Sequence, residues 1–145
     1  MTTEKYAGKV LVIPCSGIGK AFGSVGREAA YLVVEDMRPD QSETVCLSLL
    51  TMGDEDTKSK VSQLPTITID GCPKACARVN VEASGGTPAA EFRVVDTYRE
   101  NRTLKVDSVL DLGESGQRLA QILADKVANK VDRILSEREG EANNA

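Results

Sequence analysis

Val10-Leu11-Val12-Ile13-Pro14-Cys15-Ser16-Gly17-Ile18-Gly19-Lys20 is the stretch that decides the architecture of this chain. Its first four residues are aliphatic and three of them are β-branched, which favours extended backbone. They leave no polar face, so the strand must be covered on both sides, as in a parallel sheet with helices above and below. Pro14 and the glycines then break it into a turn. A second stretch, Thr66-Ile67-Thr68-Ile69, is β-branched at every position and ends in Asp70-Gly71.

Working outward, a helix is predicted from about Ala21 or Ser24 to Met37, ended by Arg38-Pro39-Asp40. Val33-Val34 are weak helix formers within it. Ser42 to Cys46 reads as a second strand. The apolar loop from Leu47 to Gly53 has room for a turn of helix. A polar helix follows to Leu64, with Asp54 as its cap and Pro65 as its stop. Pro73 is suited to the first position of a helix running to about Ala83. Glu91 to Thr97 reads as a fourth strand, and Tyr98 to Leu112 as a connection without a clear pattern. From Ser115 to Glu137, Leu119, Ile122, Leu123, Val127, Val131, Ile134 and Leu135 form one apolar helical stripe. Alternating strands and helices imply a three-layer α/β fold, Rossmann-like or flavodoxin-like. We expect a mainly parallel sheet of about four strands, the first and third central, with helices on both faces. The expected organisation is a single domain over residues 1–138 and a disordered tail over 139–145.

A chain of 145 residues can bury most of its apolar surface without staples. With no Trp, two Phe and three Tyr, its core must be aliphatic. The net charge of -4 and the absence of basic and aromatic interleaving speak against nucleic-acid binding. No apolar run approaches the ~20 residues that span a bilayer, so no membrane association is expected. Met1-Thr2-Thr3-Glu4-Lys5-Tyr6 lacks the basic-then-apolar pattern of a signal peptide, and a cytoplasmic location is expected.

Four cysteines and no histidine make up the soft-ligand inventory. In a reducing cytosol they read first as metal ligands or redox groups. Cys15, Cys46 and Cys72 each follow a predicted strand, at spacings of 31 and 26 residues, close to the roughly 30 of a βαβ unit. A parallel sheet brings such strand ends to one edge, where open α/β sheets bind ligands. If Pro73 opens a helix, Cys72 caps it and Cys76 lies one turn on, on the same face. Cys15, Cys46, Cys72 and Cys76 then form a closed four-sulfur metal site. Zinc suits four thiolates; an iron–sulfur cluster takes the same set. The plainer reading is four buried core thiols, but core residues have no reason to collect at strand ends. Helix N-termini would favour thiolate at Cys15 and Cys72, with positive charge from Lys20, Lys74 and Arg78 nearby, although solvated surface charge is the plainer reading of those three. That physics serves equally a thiol redox or sulfur-carrier protein using Cys72 and Cys76, with a redox or sulfur-transfer protein as partner.

These residues carry a resemblance. Cys15-Ser16-Gly17 with Gly19 and Gly23, then Cys46-Leu47, then Asp70-Gly71-Cys72-Pro73 and Cys76, resemble the DGC-domain family, proteins predicted to bind zinc and named for the Asp-Gly-Cys triplet. The resemblance spans roughly residues 9 to 135 and departs over Thr87 to Asp111. It implies a four-cysteine metal site on Cys15, Cys46, Cys72 and Cys76, and no particular reaction.

Other motifs are weaker. Gly17-x-Gly19-x-x-x-Gly23 places Phe22 where a dinucleotide loop needs its last glycine. A P-loop is spoiled by Pro14 and Ala21. Gly17, Gly19 and Lys20 remain candidates for contact with an anion. Without histidine the common hydrolytic triads are absent, and whether the chain is an enzyme is open. Asp70 could act as a base, but the commoner role of Asp in a turn is to accept backbone N–H bonds.

Overall fold

Strand β1, Val10–Pro14, lies at the centre of a computed structural model that describes residues 8–15, 17 and 19–144. Ser16 and Ile18 of the first turn, the N-terminal residues 1–7 and Ala145 lie outside the described residues. Strands β2 (Ser42–Glu43), β3 (Thr66–Asp70) and β4 (Pro88–Arg93) complete a four-stranded sheet in the order β2-β1-β3-β4, parallel throughout. The first and third strands are central, as their two-sided apolar character requires. Leu11 to Pro14 pair in register with Thr66 to Ile69.

Side-chain alternation along β1 divides the interior in two. Val10 and Val12, with Ile67 and Ile69 of β3, face helices α1 (Ala21–Tyr31), α5 (Val94–Glu100) and α6 (Gly113–Asn144). Leu11 and Ile13 face α2 (Leu47–Met52), α3 (Glu55–Gln63) and α4 (Cys76–Ala83). Each layer has its own aliphatic core, so the protein is a three-layer α/β sandwich. In α6, Leu119, Leu123, Val127, Val131 and Ile134 are buried with Ala120, Ala124 and Ala128, whose small side chains admit close packing on α1. Asp54 caps α3, its carboxylate accepting from the Thr57 N–H at 3.0 Å. Among the described residues, no helix is long and apolar enough to cross a membrane.

Three boundaries differ from expectation. The helix after β1 is α-helical to Tyr31 and then π-helical over Leu32–Met37, closed by the Arg38 N–H on Val33 O at 2.7 Å. Strand β2 stops at Glu43; Ser42 donates to Arg38 O through both its N–H and its hydroxyl, and Thr44 to Cys46 leave the sheet to line a cavity. Strand β4 begins at Pro88 and ends at Arg93, whereas Val94 to Thr97 are helical. The β-branched Val94-Val95 suggests strand, but helical spacing buries Val94 and Thr97 together against the sheet layer. Helix α6 is described to Asn144.

The π-helical segment is tied to α6 by Arg38, which donates to both Asp132 carboxylate oxygens at 2.7 and 2.8 Å. Hydrogen bonding from the guanidinium holds the Asp132 carboxyl below its usual range. A depressed folded pKa gives stability that is present above the unfolded value and lost as pH falls through the folded value. The wild-type advantage over Asp132→Asn should be constant above about pH 5 and shrink below about pH 4. At nearly half exposure it should not exceed about 1 kcal/mol. Urea titrations across that range check this; a pH-independent difference would show that the pair contributes nothing through charge.

Candidate metal centre

The C-terminal edge of the sheet carries all four cysteines. Cys15 follows Pro14 directly, and its N–H still donates to Ile69 O of β3 at 2.9 Å. Cys46 sits at the N-terminus of α2, Cys72 lies two residues beyond β3, and Cys76 is the first residue of α4. All four are free thiols; Cys15 and Cys72 are half-buried, Cys46 and Cys76 exposed.

The loops that bear them are held together by glycine. A β-carbon on Gly17 would lie 2.7 Å from the carbonyl carbon of Gly23, and one on Gly71 would lie 2.6 Å from the Gly23 nitrogen. Every neighbour is backbone, so no side chain can yield. Gly17 also has φ +69°, a conformation costly for other residues. Three chain segments meet here: the loop after β1, the first turn of α1, and the loop after β3. Cys15 is two residues from one glycine and Cys72 is adjacent to another. Gly17 is thus explained by packing, whereas Gly19, with φ +78°, has open space around its α-carbon.

Asp70 is buried at the end of β3 and reaches across the turn to α4. Its carboxylate accepts from the Ala77 N–H at 2.8 Å and the Arg78 N–H at 3.2 Å. It therefore caps a helix that has no cap of its own, since the residue in that position is Ala75. Ala75 is in the left-handed region at φ 51°, and its N–H closes a turn on Cys72 O at 3.1 Å. This corrects the expectation for Pro73: it lies in that turn and does not open α4. Cys72 and Cys76 consequently do not share a helical face; they flank a tight turn whose left-handed residue directs the chain into α4.

The thiols are divided between two cavities, with Cys15 in the wall of both. One, of about 330 Å³, is lined by Cys15 and Cys46 with Arg27, Tyr31 and Thr44. The other, of about 200 Å³, is lined by Cys15, Cys72 and Cys76 with Asp70, Lys20 and Lys74. Contrary to the expectation of a favoured thiolate, burial pushes the Cys15 thiol up, and the nearby Asp70 and Cys76 add to this against the backbone N–H groups of Gly71 and Gly17. The Cys46 thiol is lowered, because the Leu49 and Ser48 N–H groups at the start of α2 face it. Arg78 is engaged by Glu82 at 3.3 Å and Glu91 at 3.7 Å, so its charge is directed away from the thiols. Among the described residues, no group of three or more His, Cys, Asp or Glu is arranged to hold a metal ion. The donor chemistry nevertheless fits a soft cation, because a half-buried thiol beside Asp70 and another thiol is an environment that positive charge relieves.

Asp70 accepts backbone N–H bonds as expected, though from α4, whereas the glycine contact and the Arg27–Tyr31 wall beside Cys46 were not legible in the sequence. The recurrence of glycine at Gly17 and Gly23, with the Asp70-Gly71 pair at a strand end, was the available signal for that contact. A family model described as DGC domain matches residues 11–122. No curated protein and no solved structure matches the chain.

Asp70→Ala should lower stability by about 1–3 kcal/mol, because two helix N–H groups lose a charged acceptor in a buried place. Gly71→Ala should cost a similar amount, about 1–3 kcal/mol, through overpacking against backbone. Thermal unfolding checks both. An unchanged midpoint for Gly71→Ala would mean that the loops are not in the contact described.

Proposed function

We propose, from the premise that the chain belongs to the DGC-domain family, that it binds a metal ion through Cys15, Cys46, Cys72 and Cys76. Family membership supports metal binding in general. The observation that carries the assignment of these four residues is the position of Cys15, a shared wall between the Cys46 cavity and the Cys72–Cys76 cavity. Ligation by all four requires the exposed Cys46 and Cys76 side chains to turn toward Cys15 when metal binds. Zinc is the metal we favour. With no histidine available, the donor set is purely thiolate, and zinc in such a set gives a closed, redox-silent tetrahedral centre.

The chain's own residues set the terms of binding. Asp70 and the glycine contact fix the Cys15 and Cys72 backbones before any ligand arrives, which lowers the ordering cost of the site. The thiols must lose protons to ligate, so affinity falls as pH falls. The buried residues of both aliphatic cores lie outside the site, with Cys15 packed against the edge of one, so the metal is not needed as a staple. We place the protein in the cytoplasm, where four free thiols persist. A redox or sulfur-transfer protein is the natural partner if Cys72 and Cys76 react instead of ligating.

Elemental analysis of protein purified without air tests the reading. Stoichiometric zinc is expected in the wild type. It should be lost in each single Cys→Ser variant, while circular dichroism shows the fold retained. Unchanged metal in Cys15→Ser or Cys46→Ser would remove that residue from the site. Brown protein with iron and sulfide would identify a cluster. Metal-free protein with a reducible disulfide or persulfide would favour a thiol carrier. Complete unfolding of the metal-free protein would make the metal structural.

A further inference from the structure

A third cavity shares Lys20, Gly71 and Cys72 with the cavity of Cys15, Cys72 and Cys76. It measures about 390 Å³, within the range of ~300–1,000 Å³ typical of small-molecule sites. Its walls are Phe22 of α1, Pro73 of the turn after β3, Val95 of α5 and Val106 of the loop before α6, with Gly71 and Cys72 against the metal-centre side. Phe22 is held by its ring contact with Tyr98, at 5.2 Å between centroids and a tilt of 48°. Val95 is half-buried yet belongs to neither aliphatic core, so its side chain serves the cavity and not the interior.

The charge on this cavity has one sign. Lys20, an exposed side chain that also lines the cavity of Asp70, Cys15, Cys72 and Cys76, is the charged residue in its lining, and no carboxylate lines it. Lys20 occupies the N-cap position of α1, an 11-residue helix, and makes no ion pair among the described residues. The first-turn N–H groups of that helix have no acceptor within the helix and add a positive field in the same direction.

We propose that this cavity binds a small organic carboxylate with an apolar body. The carboxylate sits at Lys20 and the body lies between Phe22, Val95 and Val106. A ligand placed so is against the Cys72 side of the metal centre, which gives the thiol site a substrate or effector class. Recognition rests on Lys20 and the apolar walls, not on metal ligation.

The test uses phenylpropionate and its uncharged amide as probes, titrated into the full chain and followed by methyl and aromatic NMR. Phenylpropionate should shift the Val95 and Val106 methyl signals and the Phe22 ring signals saturably. The amide should bind about tenfold more weakly, and Lys20→Met should remove most of that difference. Equal binding of acid and amide to the wild type would overturn the proposal. So would shifts confined to other residues, or no saturable shift at millimolar probe. Running the titration on metal-loaded and metal-free protein separates this outcome from the metal assignment.

Discussion

The contact of Gly17 and Gly71 with Gly23 is the constraint on which the rest of the edge depends. Three backbones approach so closely that a single β-carbon at any of them would strike main-chain atoms. Such contact has little intrinsic attraction; its value is geometric. It sets the loop after β1, the start of α1 and the loop after β3 in one relation, and two of the four cysteines follow from it. The parallel sheet supplies the neighbourhood, and the glycines supply the distance.

The Asp-Gly-Cys triplet can therefore be read residue by residue. Asp70 caps α4 from outside the helix, Gly71 lets α1 approach, and Cys72 faces the cavities. The three tasks are distinct, and none of the three residues can exchange with another. The same turn holds Ala75 in a left-handed conformation, a local strain of about 1 kcal/mol or more that the packed surroundings sustain. Strain of this kind at a thiol-bearing turn is consistent with a site whose geometry is fixed ahead of its ligand.

Much of the fold was legible because its deciding signals are local. Val10 to Ile13 and Thr66 to Ile69 are apolar or β-branched without interruption, and they became the two central strands. The stripe on α6 is long enough to settle its own period. Legibility failed where tertiary contacts overrode propensity. Val94-Val95 favours strand by composition, yet Val94 packs against the sheet from a helix. Pro73 favours a helix start, but Asp70, remote from that helix, caps it three residues later. The cysteines were visible as a set, and so was their placement after strands. Their division between two cavities that share Cys15 was not, because it depends on side-chain directions that spacing does not encode.

The central claim is that these four sulfurs, and no other donors, surround one metal ion. X-ray absorption at the zinc edge of the metal-loaded protein addresses this most directly. The account predicts a first shell of four sulfur scatterers at about 2.3 Å and no light-atom contribution. A shell containing nitrogen or oxygen at about 2.0–2.2 Å, or fewer than four sulfurs, would contradict it.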